Sequence, residues 1–320
     1  MLTLADVFQR WSVLRERLDT VVLGQEKVKE QTLTCLLAGG HALLEGVPGT
    51  GKTILALSLA RLVGCQFRRI QFVPDLMPAD LLGTNIYNQK TQQFEFRPGP
   101  IFADLVLADE VNRTPARTQA ALLECMQEGA ATVDGTRYAI SPTFFVLATQ
   151  NPVEFEGTYP LPEAQRDRFL LKIAVEYPAL DDEARLIAAY ASGQRLHDDA
   201  VARLEPVLTR DELVASRRIV ARDVRVEPGI QRYILSVVTA TRKHESVQLG
   251  AGPRASLALL ESSRARAAVA HRDFVTPDDV KEMAPPVLAH RVALSPEADM
   301  EGIALADVLR QIFESVEVPR

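Results

Sequence analysis

The sequence predicts an α/β core, a mostly parallel sheet covered by helices and carrying β-hairpin insertions, followed by an all-helical second domain. Three observations carry this. Gly46-Val47-Pro48-Gly49-Thr50-Gly51-Lys52-Thr53 fits the pattern G-x-x-x-x-G-K-[ST] and lies between a short apolar run, residues 41–45, and an amphipathic stretch, residues 53–63, that Gly64 closes. Strand-length and helix-length runs alternate as far as about Pro178. Beyond Pro178 strand-like runs nearly vanish, and Ala, Leu, Glu and Arg at helical spacing dominate. The two domains are therefore expected at residues 1–179 and 180–320.

Composition sets the bounds. The chain has 320 residues, 47% hydrophobic and 24% charged, which suits two ordinary globular domains with ample core. A net charge of −6 gives no overall basic footprint for nucleic acid. Cys35, Cys65 and Cys125 are odd in number and too far apart for a zinc cluster, so buried reduced thiols are expected, as in a reducing cytosol. Residues 1–6 lack a basic n-region and a long apolar run, so no signal peptide is expected. No apolar stretch approaches the ~18 residues of a membrane span. The expected location is the cytoplasm.

Taken in order, residues 4–18 place Leu4, Val7, Phe8, Trp11, Leu14 and Leu18 on one helical face. Trp11 then belongs to core or to a subunit interface. Val21 to Glu26 leads into a second helix that ends at Ala38, before Gly39-Gly40. Residues 67–73 read as a strand ended by Pro74, and residues 78–82 as one or two helical turns. Residues 85–96 read as a hairpin. A second hairpin is centred on Asp134-Gly135, because Asp-Gly favours a two-residue turn. Residues 104–110 and 143–149 are apolar enough to be buried strands. In the second domain, residues 182–190, 209–221, 229–242, 254–271 and 277–289 read as helices, the last with Thr276 as cap and Pro277 in the first position.

The chemistry follows from spacing. Three glycines in six positions let the loop turn tightly and aim successive N–H groups at phosphate oxygens. Lys52 then reaches the β- and γ-phosphates, and the Thr53 hydroxyl ligates Mg²⁺. A glycine-rich turn with a stray lysine is the plain alternative. Asp109 and Glu110 end an apolar strand, as a nucleoside triphosphatase requires: one carboxylate to hold Mg²⁺ and one to polarise the attacking water. The alternative is that they favour the start of a helix near Pro115. Asn151, after the strand 143–149, would lie in the ligand crevice of an open parallel sheet and hold the lytic water or touch the γ-phosphate. Here the alternative is an Asn-Pro turn with Pro152.

These residues resemble the AAA+ ATPases, with Gly46–Thr53 as Walker A, Asp109-Glu110 as Walker B and Asn151 as sensor 1. Finer stretches are similar to the MoxR branch: Asp109-Glu110-Val111-Asn112-Arg113-Thr114-Pro115, Ala148-Thr149-Gln150-Asn151-Pro152, Gly157-Thr158-Tyr159-Pro160-Leu161-Pro162-Glu163-Ala164-Gln165, Asp167-Arg168-Phe169, and Gly252-Pro253-Arg254-Ala255. The resemblance implies an ATP- and Mg²⁺-dependent, chaperone-like remodeller or activator of client proteins. It implies a ring homo-oligomer, a hexamer, with partners that carry von Willebrand factor A domains. The two hairpins match insertions expected before Walker B and before sensor 1.

Residue by residue, Arg168 matches the arginine finger that reaches a neighbouring subunit's γ-phosphate, the alternative being an ion pair with Asp167 or Glu163. Arg166 stands where the family more often has an apolar residue, which leaves open which of the two arginines makes the contact. Arg254 matches sensor 2, reaching from the lid onto the nucleotide, the alternative being an ordinary solvated helix arginine. Val22 and Leu23, with Gly24 and Gln25, occupy the segment that lines the adenine in related proteins, the alternative being simple packing between two helices. His41, His197, His244, His271 and His290 form no ligand spacing and are read as structural. Arg264, Arg266 and Arg272 form a modest basic face, read as solvated or interfacial. Two rivals remain: a nucleic-acid motor of the helicase-related class, disfavoured by the acidic balance, and the ATPase subunit of a metal chelatase.

Overall fold

The computed structural model describes residues 2–151, 158–192 and 200–319; Pro152, Gly157 and His197, cited above, lie outside the described residues. Helix α1 (Leu4–Asp19) opens on a capping box between Thr3 and Asp6 and buries Val7, Trp11, Leu14 and Leu18, the predicted stripe. Helix α2 (Glu26–Ala38) is buried along most of its length and stops at Gly39 in the left-handed conformation. There follow β1 (Ala42–Gly46), α3 (Lys52–Leu62), β2 (Phe67–Gln71), α4 (Pro78–Leu82), the hairpin β3 (Gly83–Asn88) and β4 (Gln93–Pro98), and β5 (Leu105–Asp109). Next come α5 (Ala116–Glu128), the hairpin β6 (Ala130–Val133) and β7 (Thr136–Ala139), β8 (Phe145–Gln150), α6 (Glu163–Arg166) and β9 (Leu171–Val175).

Five strands form one parallel sheet in the order β2-β5-β8-β1-β9. Strands β5 and β8 are buried at nearly every position, which explains their unbroken apolar sequences. Both predicted hairpins are present. They dock on each other through Phe96 stacked on Tyr138 at 3.9 Å and an Asn85–Asp134 hydrogen bond of 2.7 Å. Strand β9, not anticipated as an element, becomes the outer partner of β1.

The helical part comprises α7 (Leu180–Ala191), α8 (Arg210–Asp223), α9 (Pro228–Thr241), β10 (Val247–Leu249), α10 (Pro253–Val269), α11 (Pro277–Leu288), β11 (Ala293–Leu294), α12 (Pro296–Met300) and α13 (Leu305–Ser315). The five predicted helices fall within a few residues of their places; α12, α13 and the small β10–β11 pair are additions.

The buried apolar residues form two clusters, one on each face of the sheet. One contains Leu43, Val106, Val146, Leu122 and Phe169. The other runs from Trp11 and Leu33 across Leu44, Leu107 and Leu147 into Leu213, Tyr233, Leu259 and Met283 of the helical part. Polar contacts cross the same seam: Arg10 pairs with Glu212 at 2.7 Å, and Arg217 Nε donates to the Leu36 carbonyl at 2.9 Å. Arg266 corrects the reading of a solvated or interfacial basic face. It is turned inward, bridging Glu30 of α2 at 3.4 Å and Glu282 of α11 at 2.8 Å, while Arg272 pairs with Asp279.

The histidines are structural where described. His41 accepts from the Val146 N–H at 3.0 Å and donates to the Met126 carbonyl at 3.1 Å, and burial pulls its pKa down to about 4. His271 stacks on Phe8, and His244 meets Gln311. The cysteines are free thiols; burial pushes Cys65 up to about 11 and Cys125 to about 12. Among the described residues no helix is long and apolar enough to cross a membrane, and no group of three or more His, Cys, Asp or Glu is placed to hold a metal.

Candidate functional site

Strand order builds the site. β1, β8 and β5 are neighbours and parallel, so their carboxyl ends project together into one crevice. They deliver, in that order, the loop beginning at Gly46, the pair Gln150-Asn151, and Asp109-Glu110. All of these residues except Val47 line a single cleft of about 590 Å³. That volume suits a nucleotide-sized ligand.

The loop has the shape its sequence demands. Gly49 and Gly51 both sit at φ +80°, and a Cβ on either would meet nothing within 4 Å, so the backbone presents an open cradle. Gly46 is a glycine for a different reason. A Cβ there would lie 2.1 Å from the Val175 carbonyl oxygen on β9. Lys52 opens α3 and its Nζ donates to the Gly46 carbonyl at 2.5 Å. Burial lowers its pKa, opposed by the carboxylates of Asp109, Glu110 and Glu45. Gly46, Pro48, Gly49, Thr50, Gly51, Lys52 and Thr53 all line the cleft; Val47 does not, and its carbonyl accepts from the Thr50 hydroxyl at 3.2 Å.

Asp109 ends β5 and Glu110 follows in the left-handed conformation, φ 58° and ψ 51°. A glutamate rarely adopts this, and such strain collects where a side chain must be aimed. A ring of hydrogen bonds holds both carboxylates. The Thr149 hydroxyl donates to Asp109 Oδ1 at 2.6 Å and accepts from the Glu110 N–H at 2.8 Å. Arg69 pairs with Asp109 Oδ2 at 2.6 Å, and Gln71 donates to Glu110 Oε2 at 2.6 Å. Arg69 also donates to Gln71 Oε1 at 3.2 Å, closing the ring. Glu110 has a further contact with Arg113 Nε at 3.2 Å.

Asn151 is buried and lines the cleft, and its carbonyl accepts from Asn112 at 3.4 Å. Val22 and Leu23 also line it, from the segment before α2. Gln25 ties that segment to the loop by donating to the Thr50 carbonyl at 2.8 Å. Asp182, Glu183 and Leu186 of α7 close the opposite side, so the helical part contributes a wall.

Two predicted arginines do not line this cleft. Arg168 lies in the turn between α6 and β9, and among the described residues its side chain makes no hydrogen bond or ion pair. The ion pair suggested as its alternative goes elsewhere: Asp167 pairs with Arg291 at 2.7 Å and with Arg254 at 3.6 Å, and Glu163 pairs with Arg166 at 4.0 Å. Arg254, expected to reach from the lid onto the nucleotide, does not line the cleft of its own chain. It lies in the first turn of α10 and pairs with Asp167, the residue before Arg168.

The sequence reading missed Arg69, Gln71 and Thr149. Arg69 and Gln71 are two apart on a strand, hence on one face, at a carboxyl end beside β5. That alternation in Phe67–Gln71 was the signal available. The donor set fits the implied ligands: an open backbone cradle and a lysine for phosphate, and the oxygens of Thr53 and Asp109 for Mg²⁺.

Comparison with known proteins agrees with this geometry. Residues 41–171 match the family model for the ATPase family associated with various cellular activities (AAA), and residues 239–312 match the AAA lid domain. The chain is 48% identical to YeaC of Bacillus subtilis, covering 95% of this chain and 93% of that protein. It is 42% identical to the chaperone MoxR1 of Mycobacterium tuberculosis, covering 94% and 80%. The crystal structure of a candidate ATPase from Cytophaga hutchinsonii superposes with a TM-score of 0.90 at 37% identity, covering 99% and 97%.

Proposed function

This chain belongs to the MoxR family of AAA ATPases, and we propose that it hydrolyses ATP, with Mg²⁺, to remodel or activate client proteins as a cytoplasmic ring of six copies. The observation that carries the proposal is the convergence of the Gly46–Thr53 loop, Asp109-Glu110 and Asn151 at adjacent strand ends in one cleft. Val22 and Leu23 flank the adenine. The loop N–H groups and Lys52 bind the phosphates, while the left-handed backbone at Glu110 aims its carboxylate at the attacking water. Asn151 holds that water from the β8 side. Thr53 and Asp109 would hold Mg²⁺, which when bound neutralises charge on the β- and γ-phosphate oxygens.

Arg168 serves the cleft of a neighbouring copy, where a planar cation stabilises charge on the transferred phosphoryl group. Its absence from its own cleft and its lack of a side-chain partner among the described residues support this, and favour it over Arg166, which is paired with Glu163. Arg254, held beside it, works on the same neighbour. The inward ion pairs of Arg266 favour a protein client over nucleic acid. A partner carrying a von Willebrand factor A domain would select the client.

Glu110→Gln tests the reading. It keeps shape and hydrogen bonding but removes the base, so it should bind ATP as wild type does while turnover falls about 10²-fold or more. Wild-type turnover would move the base elsewhere. The same variant, holding ATP unhydrolysed, should retain clients and partners for identification in a pull-down.

A further inference from the structure

We propose that Arg291, with His290, is a positioning residue that presents Arg168 to the neighbouring subunit. The proposal rests on the reading that Arg168 acts in trans. Arg168 sits in a turn, residues 167–170, whose N–H groups are already satisfied: those of Asp167, Arg168 and Phe169 bond back to the carbonyls of Glu163, Gln165 and Arg166, and that of Leu170 bonds to the His41 carbonyl, while the carbonyl side of the turn needs donors from elsewhere. Those donors come from the far side of the chain. The Arg291 side chain, 4% exposed, reaches from the end of α11 into this turn. Its Nη2 donates to the carbonyl of Asp167 at 3.2 Å and to that of Phe169 at 2.6 Å. One guanidinium therefore grips the peptide on both sides of Arg168.

The other donors complete the clamp. Nε bonds Asp167 Oδ1 at 2.7 Å, and Nη1 bonds the carbonyls of Leu170 at 3.1 Å and Val287 at 2.6 Å. Five contacts use the five N–H groups of an arginine, a fork that lysine cannot reproduce. His290, kept neutral by burial, donates from Nε2 to the Phe169 carbonyl at 2.9 Å. Phe169 itself is 1% exposed, packed in the second core cluster. The backbone at residues 167–170 is thus pinned, while the Arg168 side chain between two pinned neighbours is left without a partner among the described residues. The second oxygen of Asp167 takes Arg254, so the residue that anchors this turn also holds a lid arginine. Ordinary adhesion between α11 and the core would need none of this concentration on one turn.

The test separates presentation from folding. Arg291→Lys keeps the charge and loses the fork. Its fluorescent-ATP affinity should stay within about twofold of wild type while kcat falls by about 10²-fold, the cost of a misplaced catalytic group. It is then mixed, with subunit exchange verified, in three pairs. Arg168→Ala with Glu110→Gln should recover up to about a quarter of wild-type ATPase, because half the pockets are sound and half of those have a sound neighbour. Arg291→Lys with Glu110→Gln should recover likewise, since the Lys variant's pocket is intact and borrows a sound Arg168. Arg291→Lys with Arg168→Ala should recover nothing. If the second pair stays inactive while the first recovers, Arg291 acts on its own pocket or on folding, and the proposal falls. If the first pair stays inactive, the trans reading of Arg168 falls and takes this proposal with it. Should Arg291→Lys fail to fold by circular dichroism, Asp167→Asn, which loosens the same turn, enters the same three pairs with the same expectations.

Discussion

Removing the Arg69 guanidinium should make ATP binding less demanding of Mg²⁺. Arg69 places Nη2 2.6 Å and Nε 3.2 Å from Asp109 Oδ2, on the carboxylate proposed to hold the metal, so the two cations compete for one group. At ~4 Å and an effective dielectric of ~20, two unit charges attract by about 4 kcal/mol. The Arg69 side chain is 50% exposed, however, and measured pairs of that kind are worth about 0.2–1 kcal/mol. Asp109 is better enclosed, at 16%, which places the pair near the top of that range. About 1 kcal/mol is roughly fivefold in an equilibrium constant. Arg69→Met keeps the apolar bulk and removes the competitor. In a Mg²⁺ titration of fluorescent-ATP binding its midpoint should fall about fivefold at low salt, and less at high salt where the pair is already screened. An unchanged or raised midpoint at low salt refutes the competition. Weaker ATP binding in excess chelator would make Arg69 a phosphate ligand instead.

Lys52→Ala should abolish measurable ATP binding, because the phosphates lose their main side-chain counter-ion; unchanged affinity in the same fluorescence titration would make the loop decorative. Gly46→Ala should destabilise the fold by about 1–3 kcal/mol, since its Cβ would press on the Val175 carbonyl and part β1 from β9; an unaltered denaturation midpoint would contradict that contact. Stability should fall on acidification through two buried histidines. His41 has a folded pKa of about 4 against an ordinary 6.5, and burial also depresses His290. The unfolded chain therefore binds more protons in that window. Their contribution is complete above about pH 6.5 and is lost as pH falls towards about 4, by up to about 1.4 kcal/mol per pH unit for each histidine. Urea unfolding across the window measures the slope, and His41→Gln should flatten it.

Legibility in the sequence followed the range of the interactions. The loop, the strands of Asp109 and Asn151, the Asp-Gly hairpin and five lid helices are local patterns, and all are found. The continuous apolar runs of β5 and β8 told of burial on both faces. The short β9 was missed because Leu171–Val175 carries a lysine and ends in polar surroundings; its identity as a strand comes from pairing with β1. Helix α13 was missed although Val308, Leu309 and Ile312 repeat at helical spacing, so there the signal existed. The placement of Arg254 was not legible. Its partner, Asp167, lies 87 residues earlier, and only the packing of α10 beside that turn brings the two together. The same holds for Arg291, whose clamp on residues 167–170 joins segments with no shared local pattern.

The apolar cluster that runs without a break from α1 and α2 into α8, α10 and α11 has a mechanical consequence. A hinge needs a thin, wet seam, and a seam filled with side chains such as Leu33, Leu213 and Leu259, fully buried, resists shear. Most of the helical part therefore rides rigidly with the sheet. The surfaces left to give way are those bordering the cleft, where α7 buries no side chain of its own, and, in the proposed ring, those between one copy and the next. In the proposed ring, work drawn from the nucleotide would then be exported sideways, each rigid wedge pivoting on its neighbour, and the ring as a whole would be the moving part.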